Sequence, residues 1–190
     1  MLERTPLRVF EMKTLVFDTE TTGLILNRTV RQKMWPEIVE FAGITINLDS
    51  LEDLGQYETL IKPKRPMEAK SIEITGLTNE FLKENGKPFE DVADEIEDVI
   101  CSADVVIAHN ASFDVEMIDM EFDRLGRKIK FWPQVICTVE QTISLQGFRL
   151  NLGALHEYLF GMAHEDAHRA MTDVRALTRV TKELRRREII

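Results

Sequence analysis

Apolar residues fall along this chain in two rhythms: short runs in the first third, and mostly helical spacing afterwards. Residues 13–19 contain the unbroken triplet Leu15-Val16-Phe17, which predicts a strand buried on both faces. Residues 38–48 (IVEFAGITINL) read as a second strand and residues 57–62 as a third, a β-meander ended by Pro63 and Pro66. Residues 71–77 are short and ambiguous, with Gly76 as a stop. Apolar positions at Phe89, Val92, Ala93, Ile96, Val99 and Ile100 then follow helical spacing. Residues 104–109 (DVVIAH) return to an unalternating run, the mark of a buried central strand. Helical patterns cover residues 113–125, 138–145, 152–160 and 168–187. The last carries Ala170, Val174, Leu177, Val180 and Leu184 on one stripe that should pack on the sheet. Strands first, then strands interleaved with helices, predict an α/β layered domain with a mixed sheet.

No repeat, low-complexity tract or linker divides the 190 residues, so a single domain over residues 1–190 is expected. No apolar run approaches the roughly 20 residues needed to span a bilayer, and the first 13 residues lack a signal-peptide core. Cys101 and Cys137 are too few for a disulfide framework and read as small core hydrophobes of a cytoplasmic, reducing setting. A net charge of −9 argues against a protein that coats nucleic acid electrostatically. It leaves room for an enzyme that grips a few phosphates. Basic clusters at residues 62–65, 124–130 and 179–187 read first as solvated faces rather than grooves.

The chemistry gathers at three places. In LVFDTETTGL, Asp18 and Glu20 stand two apart on the first strand and so point to one face. Two adjacent anions repel unless a cation sits between them, and a hard divalent cation prefers such oxygen donors. Asp114, in HNASFD, follows the buried strand 104–109 and falls in the first turn of a helix. Alone it could be a partner of the helix dipole, yet open α/β sheets gather their sites near strand ends. Asp173 lies on the last helix at the edge of its apolar stripe, where a carboxylate needs a partner. His168 precedes it by five residues, which on a continuous helix is a rotation of roughly 500°. The two can share a site only if His168 lies in the lead-in or the first turn. Residues 164–168 (HEDAH) also match the H-E-x-x-H zinc peptidase signature. That reading needs one helix face for both histidines, and the charged Asp166 and weak lead-in after Gly161 disfavour it. His109 and His156 read as structural.

Together, Asp18-Thr19-Glu20, Asp114 in HNASFD and His168-x4-Asp173 resemble the DEDDh exonucleases, the family of the bacterial proofreading (epsilon) subunit. The likeness runs from about Lys13 to Leu184, with smaller echoes at Ile38-Val39-Glu40 and at residues 74–78 (ITGLT). It implies a ribonuclease H-like three-layer domain whose mixed five-stranded sheet joins a three-strand meander to two parallel strands. It implies that Asp18, Glu20, Asp114 and Asp173 hold two divalent cations, Mg²⁺ or Mn²⁺, and that His168 is the general base. The activity implied is 3′→5′ hydrolysis at single-stranded or frayed DNA ends, releasing nucleoside 5′-monophosphates in proofreading, repair or nucleotide turnover. By the same resemblance, Thr21, Gly23 and Leu24 would hold the terminal nucleotide, with Asn110 and Phe113 flanking the cleft. The residues themselves leave Phe113 as a core side chain and Asn110 as a helix cap.

RNA trimming by an oligoribonuclease-type enzyme is the alternative, and a non-catalytic nucleic-acid-binding subunit is a more distant one. Partners implied are a nucleic acid 3′ end, a polymerase or other replication protein, or a second copy in a homodimer, with no membrane. Residues 25–36 form a longer and more basic link than is usual in the family. Trp35, Arg28, Arg31 and Lys33 are therefore further candidates for substrate contact.

Overall fold

A computed structural model describes residues 11–25, 34–162, 164 and 168–190. Strands β1 (Lys13–Thr21), β2 (Ile38–Asn47) and β3 (Asp53–Leu60) form the meander. Helices α1 (Ala69–Thr75), α2 (Asn79–Asn85) and α3 (Phe89–Cys101) follow, then β4 (Val105–Ala108) and α4 (Ala111–Arg124). The chain continues through β5 (Gln134–Cys137), α5 (Thr138–Gln146), α6 (Leu152–Phe160) and α7 (Ala170–Arg186).

The five strands lie in the order β3-β2-β1-β4-β5. β1 pairs antiparallel with β2, and β2 with β3, whereas β1–β4 and β4–β5 are parallel. The expected mixed sheet of a meander plus two parallel strands is therefore present. Its alternation sorts the core into two layers. Leu15, Phe17, Phe41 and Val106 pack with Val92, Ile96, Met117 and Phe122 from α3 and α4. Val16, Ala42, Ile44 and Ile107 pack with Leu155 of α6 and with Val174, Leu177 and Val180 of α7. Among the described residues no helix is long and apolar enough to cross a membrane.

Five local features depart from the sequence reading. β1 runs two residues past Thr19, its register shifting between Glu20 and Thr21. β3 starts at Asp53, earlier than expected, and its first four residues are exposed because it is the sheet's edge. The ambiguous stretch 71–77 contributes to α1, closed by Gly76 in the left-handed conformation. α2 had no apolar stripe to announce it. Thr78 starts it by accepting a hydrogen bond from the Phe81 amide. The two cysteines are half-buried rather than enclosed.

Candidate active site

Asp18 and Glu20 share a face of β1 with Val16, the face that α7 covers. Asp173 stands in the first turn of α7. One carboxylate oxygen from each of Asp18, Glu20 and Asp173 falls within 4.8 Å of the others. Asp114 arrives from the first turn of α4 and is 3% exposed. Its Oδ1 accepts hydrogen bonds from the Thr19 amide (3.1 Å) and the Thr19 hydroxyl (2.7 Å), tying it to the strand between the two β1 acids.

Crowding these acids in a partly buried place disfavours their charged forms. The Asp18 carboxyl is held well above the usual range, first by burial and then by the charges of Asp114, Glu20 and Asp173. Glu20 is pushed up to about 8 by burial and by Asp173, Glu40 and Asp114, with Arg169 pulling the other way. Burial lifts Asp114 to about 7 against the two Thr19 hydrogen bonds. Asp173 is raised as well, again by burial. All the donors are carboxyl oxygens, and the charged form of each would be favoured by an added positive charge. That donor set fits hard divalent cations such as Mg²⁺ or Mn²⁺.

The lead-in to α7 closes the other side. His168 lies before the helix with a left-handed φ of 75°, and its amide donates to Asp173 Oδ2 at 3.0 Å. The Nε2 atom of His164 lies 3.6 Å from Asp173 Oδ1, and its side chain is 4% exposed. The Asp173 carboxylate is thus approached on both oxygens by the same lead-in. Behind it, His156 sets its ring edge-on to His164, with centroids 5.8 Å apart, and bonds the Met162 carbonyl through Nδ1 at 2.9 Å. α6 ends at Phe160 and α7 begins at Ala170, so neither His164 nor His168 stands on a helix. The one-face geometry of a zinc peptidase is not formed. Residues 165–167 of that motif lie outside the described residues.

A second anchor was not anticipated from the sequence. Glu40, 4% exposed, lies opposite Glu20 in the β1–β2 register. It accepts a fork from Arg169 (Nη2 2.7 Å, Nε 3.1 Å) and the amide of Ala170 at 3.0 Å. This fastens the start of α7 to β2 beside the acids. The signal was available: a glutamate inside the buried run IVEFAGITI needs a cation, and an arginine follows His168 directly. His164 was visible only as part of HEDAH, and its approach to Asp173 depends on how the lead-in folds back.

The expected substrate-side residues are placed unevenly. Thr21 is buried, with its hydroxyl donating to the Gly23 carbonyl at 2.6 Å. A Cβ on Gly23 would fall 2.6 Å from the Glu68 carboxyl, the free end of an exposed side chain that would have to swing aside. Leu24 is 65% exposed beside this turn. Asn110 sits at the start of α4 in the left-handed region and makes no capping bond. Its Oδ1 accepts from Arg149 at 3.1 Å. Phe113 packs against the α3–α4 core layer. Trp35 is 7% exposed, and Arg28, Arg31 and Lys33 lie outside the described residues. His109 lines a concavity of about 310 Å³ with Asp18, His164, His168 and Asp173. Burial lowers its imidazole to about 4, and it bonds Thr138 Oγ1 and the Leu150 carbonyl.

The exonuclease family model of RNase T type matches residues 15–181, the whole stretch that carries these acids. The chain belongs to that exonuclease family. Among similar proteins, the epsilon subunit of DNA polymerase III from Buchnera aphidicola (subsp. Acyrthosiphon pisum) is 33% identical over 168 residues, 85% of this chain and 68% of that protein. The PolC-type DNA polymerase III of Streptococcus sanguinis is 31% identical over 168 residues, 87% of this chain but 11% of that protein. The chain therefore spans about two thirds of the one relative and about a ninth of the other. A zinc-bound E. coli exonuclease I in complex with single-stranded DNA superposes with a TM-score of 0.78 at 20% identity. That match covers 93% of this chain and 41% of exonuclease I, and it shows a shared ribonuclease H-like fold.

Proposed function

We propose that this exonuclease is a two-metal 3′→5′ enzyme that trims single-stranded or frayed DNA ends to nucleoside 5′-monophosphates. The observation that carries the reading is the meeting of Asp18, Glu20 and Asp173 oxygens within 4.8 Å, with Asp114 tied to the same strand end. DNA is favoured over RNA because the epsilon and PolC-type relatives are DNA polymerase components.

In this reading Asp18, Glu20, Asp114 and Asp173 would hold the cations. Two divalent cations supply the positive charge that eases deprotonation of a water and neutralises the scissile phosphate and the departing 3′-oxygen. The His168 imidazole takes the proton of the attacking water. Water oxygen bonds to phosphorus, the P–O3′ bond breaks with its electron pair on O3′, and that oxygen takes a proton from solvent to leave the shortened strand with a 3′-hydroxyl. Thr21, Gly23 and Leu24 support the terminal nucleotide, Leu24 offering its exposed side chain to the base. Asn110 and Phe113 flank the cleft from α4, Phe113 by holding the helix on the core. A polymerase assembly or a homodimer remains part of the proposal on the partner side.

The test is a time course with 5′-labelled DNA and RNA oligonucleotides in Mg²⁺, Mn²⁺ or EDTA. Stepwise shortening from the 3′ end, faster on DNA and abolished by EDTA, is the expected result. Shortening that persists in EDTA would overturn it, and faster shortening of RNA would reverse the sugar preference.

A further inference from the structure

The loop that follows β3 carries Lys62-Pro63-Lys64-Arg65-Pro66, a cluster whose simplest sequence reading is a solvated face. The fold makes it concave. Lys83 of α2 and Asn79 converge on the loop, and with the two prolines they line a hollow of about 250 Å³. Four of its seven lining residues are cations and none is an acid, in a chain whose net charge is −9. Arg65 is committed to structure, since its guanidinium bonds Glu37 and the carbonyls of Met34 and Trp35. Among the described residues no carboxylate pairs with Lys62, Lys64 or Lys83. All three are exposed.

The hollow is bolted to the catalytic strand end. The amide of Lys64 and the side chain of Arg65 both bond the Glu37 carboxylate, and the Glu37 amide donates to the Thr22 hydroxyl at 3.0 Å. Two residues beyond Pro66, the Glu68 amide donates to the Thr22 carbonyl at 2.8 Å. The position of the lysines is therefore rigidly related to the Thr21–Leu24 turn.

We infer that Lys62, Lys64 and Lys83 form a phosphodiester-binding hollow, gripping backbone phosphates of the strand away from the scissile bond. The inference rests on the exonuclease reading of the neighbouring site. The acidic centre repels a polyanion except where cations are bound. A patch of lysines that no described carboxylate pairs, on backbone tied to the neighbouring turn, supplies the affinity for the rest of the strand. Lysines read no sequence through phosphates, as a trimming enzyme requires.

The experiment compares wild type with a Lys62→Ala/Lys64→Ala/Lys83→Ala variant and with the corresponding triple lysine-to-arginine variant. Three readouts are taken: hydrolysis of the p-nitrophenyl ester of thymidine 5′-monophosphate, kcat and KM on oligonucleotides of two to twenty nucleotides, and salt-dependent binding of a 20-mer in EDTA. The alanine variant should raise KM about tenfold on the longest oligonucleotides and lower the slope of log affinity against log salt by about 2. Its kcat, its rate on the ester and its KM on the dinucleotide should stay at wild-type values, and the arginine variant should restore the long-strand KM. An unchanged salt slope, or a loss as large on the ester as on the 20-mer, would overturn the proposal. Wild-type protein inert towards both ester and oligonucleotides would instead sink the exonuclease reading, and the salt slope would still decide the role of the lysines.

Discussion

The two halves of the acidic centre are held in place by different means. Asp18 and Glu20 ride on the central strand, flanked by β2 on one side and β4 on the other, and Asp114 is bonded to the Thr19 between them. Their spacing follows from sheet geometry, which a side-chain change elsewhere hardly alters. Asp173 is instead set by α7, whose Val174 and Leu177 pack on the sheet. Its carboxylate is oriented by contacts from the described residues before that helix, the His168 amide and the His164 ring, while the Glu40–Arg169 fork fastens the helix start. The strand half is set by sheet pairing alone, whereas the α7 half also relies on side-chain and amide contacts made just before the helix. Substitutions in the first should remove binding of the cations, whereas substitutions in the second should shift how well the site is assembled.

The largest expected effect is on the strand side. Asp18→Asn keeps the shape of the side chain but removes the carboxylate charge on which the proposed cation binding rests. Losing several kcal/mol of transition-state charge stabilisation corresponds to at least about a 10³-fold fall in kcat. Isothermal titration with Mn²⁺ should show the loss of binding directly. Rapid trimming by the Asn variant would place the cations elsewhere.

His168→Ala is the complementary change on the α7 side. It removes the imidazole and keeps the amide that holds Asp173, so Mn²⁺ binding should survive while kcat falls about 10²- to 10⁴-fold. Equal losses of binding and rate would make His168 a support for Asp173 rather than a base.

This division also sets what could be read from the chain. The Asp18–Glu20 pair was legible because period-two alternation puts them on one face whatever the rest of the fold does. The apolar runs of β1, β2 and β4 and the stripe of α7 were legible for the same local reason, and together they gave the mixed α/β sheet. β5 was not, since Gln134-Val135-Ile136-Cys137 is four residues with its first two exposed, and only pairing with β4 makes it a strand. The Glu40–Arg169 fork spans 129 positions. The approach of His164 to Asp173 likewise depends on the chain folding back on itself. Neither leaves a periodic trace.

Smaller effects should come from the contacts that set the lead-in. Glu40→Gln cannot pair with the Arg169 charge and frees the start of α7, and supporting groups of this kind are typically worth about 10- to 100-fold in metal affinity or activity. The loss should appear as a higher Mn²⁺ requirement that saturating Mn²⁺ largely repairs. If saturating metal repairs nothing, the fork acts on the chemistry itself. His164→Ala removes one of two contacts to Asp173 and should sit at the low end, about tenfold or less. Wild-type metal dependence in that variant would leave the His168 amide as the sole useful support.

The smallest effect concerns stability, and it separates the two halves without any substrate. The Glu20 carboxyl is raised to about 8 and that of Asp114 to about 7 in the metal-free protein, against roughly 4 in an unfolded chain. Below pH 4 both states hold these protons, so the full contribution to stability is present. Between pH 4 and 8 the unfolded chain has released protons that the folded chain still binds, and stability falls as pH rises. Glu20→Gln removes that penalty. In EDTA its melting temperature should match wild type near pH 4 and exceed it by at least about 3 °C at pH 8.5, since 1 kcal/mol moves a chain of this size by about 2–4 °C. Adding Mg²⁺ should erase or invert the gap, because cations displace the protons and stabilise only a centre that can bind them. A gap of the same size at both pH values would mean that Gln packs better, and that the electrostatic tension assigned to the strand half is not what the variant relieves.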